Sequence, residues 1–276
     1  MAPRYSIITT CKGRLHNLKR TLPEFLKQEN AEVIVVDYDC PDGTSEYVSG
    51  FHPSVRVVVA TNNPSFNASH ARNLGAAQAC GDFLVFLDAD VVIAANFLAY
   101  IDSQMNSHSF AMFGPPAQNS LRGSCVVSRE AFERLGGYDE LLGGYEGEDL
   151  DLYMRLRLIG AKKVLIDPIV VSEVIEQSME ERVRFRAPDL KMQFLRGQLY
   201  LSVKEMVMSS QGVPVLELSF RQDLLAEVNR NLGALYTGEQ DFVLEVTFPD
   251  RYKRGLLQEW EFSSSISVKA RRKKTQ

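Results

Sequence analysis

Cysteine is scarce and scattered. The four, Cys11, Cys40, Cys80 and Cys125, form no CxxC pair, which argues against a structural zinc site and against a disulfide framework and points to a reducing compartment. Long apolar runs are missing too. No stretch is long enough to cross a bilayer, and Met1 to Thr10 lacks the apolar segment of a secretory signal. A cytoplasmic location is therefore expected. Excess charge of one sign is absent, with a formal net charge of -4, so nothing draws the chain generally to nucleic acid or to anionic membrane. The local exception is a basic tail from Lys269 to Lys274, whose expected use is at most a weak peripheral contact at the inner membrane face. Internal repeats and low-complexity blocks are also lacking. What remains is 45% hydrophobic and 24% charged over 276 residues, which suits a globular chain of one large domain with a smaller addition.

The first third alternates. Tyr5 to Thr10, Val33 to Val36, Val55 to Val59 and Phe83 to Leu87 are short apolar runs of strand type. Between them, Leu15 to Leu26 has helical spacing, with Pro23 a potential break. Asn67 to Ala79 is a second helix, and Asn96 to Met105 follows the last run as a third. Short all-apolar strands alternating with helices predict an α/β fold, a parallel sheet covered on both faces. Such folds place functional groups at the carboxyl ends of the strands. Three polar clusters fall there: Thr10 to Arg14, Asp37 to Asp42, and Asp88 to Asp90. Further on, Ser124 to Ser128 predicts a strand, Glu130 to Leu135 a short helix, Glu148 to Ile159 a helix, and Val164 to Ile166 a strand. Beyond Pro188, Leu190 to Ser209 predicts a long helix, and Phe242 to Phe248 and Trp260 to Val268 alternate like strands.

Some of these positions carry chemistry. Asp88-Ala89-Asp90 sets two carboxylates at a strand end with a small residue between them. Hard divalent ions prefer such oxygens and are commonly shared with substrate phosphates. A solvated turn or a helix cap would use the same residues; the buried run Gly81 to Leu87 before them favours the metal. Asp37 at the next strand end suits a nucleobase or ribose hydroxyl, or simply a turn. Arg72 on a helix suits a phosphate, or simply solvent. Glu146, Glu148, Asp149 and Asp151 crowd four carboxylates around a helix start. Capping needs one or two of them; the surplus suits a general base that removes a proton from an attacking hydroxyl.

Taken in order, these segments resemble a known family. Tyr5 to Arg14, Val35-Val36-Asp37, Ala71-Arg72-Asn73-Leu74-Gly75 and Gly81 to Asp90 are similar to the large inverting glycosyltransferase family with the GT-A fold. Gly123 to Glu130, Gly136-Gly137-Tyr138-Asp139-Glu140 and Gly144 to Leu152 resemble the C-terminal part shared with β-1,4-galactosyltransferases and bacterial relatives. The resemblance implies a mixed, mostly parallel sheet with helices on both faces and a nucleotide-sugar donor, with UDP preferred and galactose or N-acetylgalactosamine favoured within that. It implies a saccharide or glycoconjugate acceptor, and inversion by one direct displacement. It sets Thr10, Cys11, Arg14, Asp37, Arg72, Asp88 and Ala89 toward the donor nucleotide, and Tyr145 and Glu148 toward sugar hydroxyls. Asp149 falls at the catalytic base, and Asp90, with Asp88, at a Mn²⁺ or Mg²⁺ ion.

One departure concerns that metal. The galactosyltransferase-like enzymes add a histidine downstream of the base, whereas His16, His52, His70 and His108 all precede Asp149. Gln177 stands at the histidine position, and its carbonyl oxygen suits either ion; Glu173 and Glu176 are alternatives. The expected division is a transferase domain over 1–187, split into a donor half over 1–115 and an acceptor and catalytic half over 116–187, then an extension over 188–276. The glycine-rich stretch Asp139 to Gly147 reads as a lid. Two other classes stay open at this point: a sugar nucleotidyltransferase, although Thr9 to Leu15 lacks the several glycines of a phosphate loop, and a non-catalytic module binding nucleotide-sugar or glycan.

Overall fold

The structure is a computed structural model, and it describes residues 3–114, 121–186, 189–237, 242–249 and 263–270. The chain forms two compact units. The first comprises Met1–Gly144 and Glu148–Pro188; the second comprises Tyr145–Gly147 and Asp189–Gln276.

The first unit opens with β1 (Tyr5–Cys11), α1 (Leu15–Leu26), β2 (Ala31–Tyr38), α2 (Thr44–Phe51), β3 (Val55–Ala60), α3 (Ala68–Ala76) and β4 (Phe83–Phe86). It continues through β5 (Val91–Ile93), α4 (Phe97–Gln104), β6 (Ser109–Phe113), β7 (Cys125–Ser128), α5 (Arg129–Arg134), α6 (Glu148–Leu158), β8 (Lys162–Ile166), β9 (Val171–Val174) and α7 (Met179–Val183). Seven strands make one sheet in the order β3-β2-β1-β4-β7-β6-β8. All neighbours run parallel except at β7, which is antiparallel to both β4 and β6. This is the mixed, mostly parallel sheet expected. Its central strands are buried on both faces, and alternate residues serve two cores. Ile7, Val33, Val35 and Val85 pack with Leu18, Leu22 and Phe25 of α1, while Ile8, Ile34, Leu84 and Phe86 pack with Phe132, Leu152 and Leu156. Period-two burial with a helix layer on each side is the α/β pattern read from the apolar runs.

Pro23 does not end α1, which continues to Leu26. A proline withdraws one N–H from the ladder, here the bond to Lys19 four residues back, and Lys19 is exposed, where water can serve its carbonyl. Buried Leu18, Leu22 and Phe25 hold the helix together across that gap. Six elements lie outside the sequence expectation: α2, β5, β6, β9, α7 and, in the second unit, α9 (Leu218–Thr237). Of these, β5 and β9 pair as a separate antiparallel ribbon, Val91 opposite Val174.

In the second unit α8 (Leu190–Gln211) and α9 (Leu218–Thr237) are followed by β10 (Phe242–Pro249) and β11 (Ser263–Ala270), which pair antiparallel. Tyr200, Val203, Val207, Leu224, Val228 and Leu244 are fully buried. The Tyr145 N–H donates to Gln193 Oε1 at 3.0 Å, and buried Glu146 accepts from Arg196 Nε at 2.6 Å. Of the basic tail, only Lys269 and Ala270 lie within the described residues. Among those residues no helix is long and apolar enough to cross a membrane.

Candidate active site

The sheet delivers its chemistry where β1, β2 and β4 end. Arg72, on the fifth position of α3, is buried, and its guanidinium forks between two carboxylates. Nη2 donates to Asp88 Oδ1 at 2.9 Å and Nη1 to Glu148 Oε1 at 3.0 Å. These acids are 60 residues apart in the chain, so one arginine joins the end of β4 to the start of α6. Beneath it lies the Tyr138 ring, 5.3 Å from the guanidinium carbon. Burial opposes the charge on Arg72, but Tyr138, Asp88 and Glu148 together keep it charged, well above the ordinary arginine value.

Asp149 follows Glu148 in the first turn of α6. Its pKa is pushed from 3.8 up to about 7, first by burial and then by the adjacent Glu148 charge, against the pull of the Leu150 N–H and Arg72. A helix N-terminus favours a carboxylate by about 0.5 kcal/mol, whereas each pKa unit corresponds to about 1.4 kcal/mol. Burial therefore outweighs the dipole, and the group is poised to take a proton near neutrality.

Asp90 is buried, and its backbone carbonyl accepts the Ile175 N–H at 2.8 Å. That bond extends the β5–β9 ribbon and brings the chain leading to Gln177 alongside the Asp88-Ala89-Asp90 turn. Both amide atoms of Gln177 are shut off from solvent and have no hydrogen-bond partner among the described residues. Two carboxylates, Asp88 and Glu148, bond one guanidinium, and Asp149 adds a third charge beside Glu148 when it is deprotonated, an excess that a divalent cation would offset. An orphaned amide oxygen beside carboxylates suits a hard ion, so these residues fit one. The set is two aspartates and an amide, and among the described residues no larger group, of three or more His, Cys, Asp and Glu side chains, is placed to hold a metal.

Other expected site residues are placed differently. Asp37 is committed to its own loop: Oδ1 accepts the Cys40 N–H at 2.8 Å and Oδ2 the Ser45 N–H at 2.7 Å. These bonds accord with the turn use weighed for it, and a ligand would meet only the remaining lone pairs. The Cys11 thiol is turned into the core, 3.2 Å from Thr44 Oγ1 and 4.0 Å from Cys40 Sγ. That leaves its backbone for the expected contact with the nucleotide. Thr10 and Arg14 are partly exposed at the end of β1, and Ala89 is buried with its carbonyl accepting from Thr21 at 3.3 Å. Tyr145 belongs to the second unit. The start of the expected lid is tied to α3, through Asn67 to the Glu140 carbonyl and Ser69 to the Leu142 carbonyl, each at 3.0 Å.

Two supporting positions had no role in the sequence reading. A Cβ on Gly123 would stand 2.9 Å from Arg72 Nη2 and 3.0 Å from Asp88 Oδ2, so any larger residue would press on the arginine fork and its carboxylate. Asn73 exchanges two hydrogen bonds with the Tyr138 backbone, at 2.9 and 3.0 Å. Both residues stood inside the quoted motifs, but nothing local marked them, because each acts on partners 35 or more residues away.

Comparison with known proteins agrees with this architecture. Residues 6–140 match the family model described as Glycosyl transferase family 2. Over 132 residues the chain is 36% identical to the UDP-Glc:alpha-D-GlcNAc-diphosphoundecaprenol beta-1,3-glucosyltransferase WfgD of Escherichia coli, covering 45% of this chain and 51% of that protein. It is 28% identical over 104 residues to the uncharacterized glycosyltransferase YfnE of Bacillus subtilis, covering 37% of this chain and 26% of that one. The chain thus spans about half the length of one of these curated relatives and about a quarter of the other. Among solved structures, S. aureus TarS 1–349 in complex with UDP-GlcNAc superposes with a TM-score of 0.63 at 18% identity, over 84% of this chain and 73% of that one. The mannosyltransferase PcManGT from Pyrobaculum calidifontis, in complex with GDP-Man and Mn²⁺, gives 0.59 at 18% identity, over 87% and 77%. Residues 6–140, a little under half of the chain, thus match the glycosyl transferase family 2 model, on a GT-A-like fold shared with these solved structures.

Proposed function

We propose that the chain transfers a sugar from a nucleotide-sugar donor, UDP-linked, to an acceptor hydroxyl with inversion, and that Asp149 is the general base. The observation that carries this reading is the Arg72 fork, which joins Asp88 on the donor-side strand end to Glu148, the neighbour of Asp149. An inverting transfer needs those two functions on one reacting carbon: a leaving diphosphate on one side and a base for the incoming hydroxyl on the other.

Asp149 accepts the hydroxyl proton as the new glycosidic bond forms and the bond to the diphosphate breaks. Glu148, held by Arg72, is left to orient sugar hydroxyls with its second oxygen, and Tyr145 is assigned an aromatic contact with sugar. Asp90 and Gln177, with Asp88, would hold Mn²⁺ or Mg²⁺. Such an ion supplies Lewis-acid stabilisation of the leaving diphosphate. Thr10, Arg14, Asp37 and the Cys11 backbone remain as the nucleoside side. UDP is favoured because WfgD is named for UDP-glucose and TarS was solved with UDP-GlcNAc; a saccharide or glycoconjugate acceptor accords with the diphosphoundecaprenol-linked acceptor in the WfgD name.

The test is a panel of UDP-sugars incubated with the protein and acceptor mixtures, with and without Mn²⁺, assayed for free UDP and for pyrophosphate. Metal-stimulated UDP release with a product of opposite anomeric configuration is expected. Pyrophosphate release would instead make the protein a nucleotidyltransferase. Donor binding that survives Asp149→Asn, with transfer unaffected by that change, would remove Asp149 from the base role.

A further inference from the structure

Buried polar atoms without partners are costly, about 1–3 kcal/mol each, and native chains keep few of them. Here the side chains of Thr9, Asn17 and Gln177 share that condition. The Thr9 hydroxyl and both amide atoms of Asn17 and of Gln177 are shut off from solvent with no hydrogen-bond partner among the described residues. Asn17 is only 1% exposed and Thr9 is fully buried.

Register sets all three at one level. Thr21, one turn beyond Asn17 on the same face of α1, donates to the Ala89 carbonyl at 3.3 Å, and Gln28, further on, donates to the Ala94 carbonyl at 3.0 Å. Helix α1 and the segment 89–94 therefore run side by side in the same direction, which sets Asn17 level with Leu87 and Asp88. Strand β9 runs the opposite way: Val174 lies across from Val91, and the Ile175 N–H meets the Asp90 carbonyl at 2.8 Å. Two residues later the chain reaches Gln177, again at the level of Asp88. Thr9 follows Ile8, whose carbonyl accepts the Leu87 N–H at 3.0 Å. It shares a strand face with Ile7 and Cys11, which pack into the core that α1 covers.

We propose that the Asn17 carboxamide belongs to the divalent-cation site, acting with Gln177 on the ligand shell of the ion from the α1 side. The proposal rests on the metal-assisted reading above. Amide oxygens suit hard cations, and an amide N–H₂ can support a neighbouring carboxylate. Partners at that remove tune metal affinity by about 10–100-fold. An apolar side chain would satisfy the packing of this layer without any orphaned atoms, so the polar choice needs a ligand to explain it.

Mn²⁺ binding in the presence of UDP, read from the loss of the free-ion EPR signal, tests this together with melting temperature in EDTA. Asn17→Leu keeps the number and branching of the side-chain heavy atoms and removes the polar ones. It is expected to weaken Mn²⁺ binding by about tenfold or more while melting at or above the wild-type temperature in EDTA. Asn17→Asp, which keeps the oxygen, is expected to retain binding, and it carries the test if the leucine variant fails to fold. An Asn17→Leu protein that binds Mn²⁺ like wild type but melts lower would overturn the proposal and make Asn17 the holder of a structural water. Failure of the parent reading looks different: wild type and Asp90→Asn would then be alike in binding no Mn²⁺, which would overturn both.

Discussion

Asp149 faces opposing demands. Its raised pKa means that the folded protein holds a proton the unfolded chain has released between about pH 4 and pH 7. Folded-state stability from this group is therefore full below pH 4 and is lost as pH rises through about 7. The activity runs the other way, because a base must be deprotonated. We expect kcat/KM to fall on the order of tenfold per pH unit below about pH 7. Asp149→Asn should lower kcat by roughly 10²–10⁴ while gaining stability over wild type, and urea unfolding at pH 5 and pH 8 should show the gain larger at pH 8. A gain equal at both values would mean that Asp149 titrates as an ordinary aspartate. Arg72 is the counterpart. Replacing it with alanine leaves Asp88 and Glu148 facing each other without a countercharge in a half-buried cleft, at a cost of about 3 kcal/mol. Arg72→Lys restores the charge but not the fork, so it should recover more stability than activity in parallel urea and UDP-release measurements.

At the scale of elements, the site is a matter of how α3, β4 and α6 are held to one another. Asn73 ties α3 to the Tyr138 backbone, and Gly137, at φ +76°, turns the chain there with no room for a Cβ, which would lie 2.6 Å from Asn73 Oδ1. From the other side Arg155 of α6 donates to the Leu135 and Gly137 carbonyls, both at 2.8 Å. At Gly123 any larger residue would press on the Arg72 fork. Gly123→Ala should therefore push the Arg72–Asp88 pair apart and cut kcat/KM by about 100-fold, with a much smaller effect on melting temperature. Equal loss in both would make Gly123 structural. These contacts also show what can be read in a sequence. Strands β1, β2 and β4 were legible because each is a continuous apolar run that stops at a polar or acidic residue, and the carboxylates were legible because strand ends are where such folds expose ligands. The ribbon β5–β9 was not, since three or four residues carry no periodicity and the pairing spans some 80 positions. Asn17, Asn73 and Gly123 fall in the same class, as their meaning depends on distant partners.

At the scale of the whole molecule, the chain leaves its first unit at Gly144, contributes Tyr145–Gly147 to the second, and returns at Glu148. The second unit is thus built in part from the three residues that precede the proposed base pair in sequence. It grips them closely. Gly197 of α8 lies so near that a Cβ there would stand 2.2 Å from the Glu146 carbonyl oxygen and 2.6 Å from its Cα. The Glu146 carboxylate is fully buried with Arg196 as its cation, whose own side chain remains 31% exposed. Arg196→Ala would take this cation from a buried carboxylate, and we expect a loss of up to about 3 kcal/mol in the unfolding of this unit. Glu146→Gln in the same chain should recover much of that loss, because the buried charge is the source of the cost. Gly197→Ala acts by volume instead, so Glu146→Gln should not rescue it. Urea denaturation of the single and double variants, followed by circular dichroism, separates the two cases. Were Glu146→Gln to rescue neither alanine variant, the ion pair would be incidental and close packing at Gly197 would be what holds Tyr145–Gly147 in the second unit.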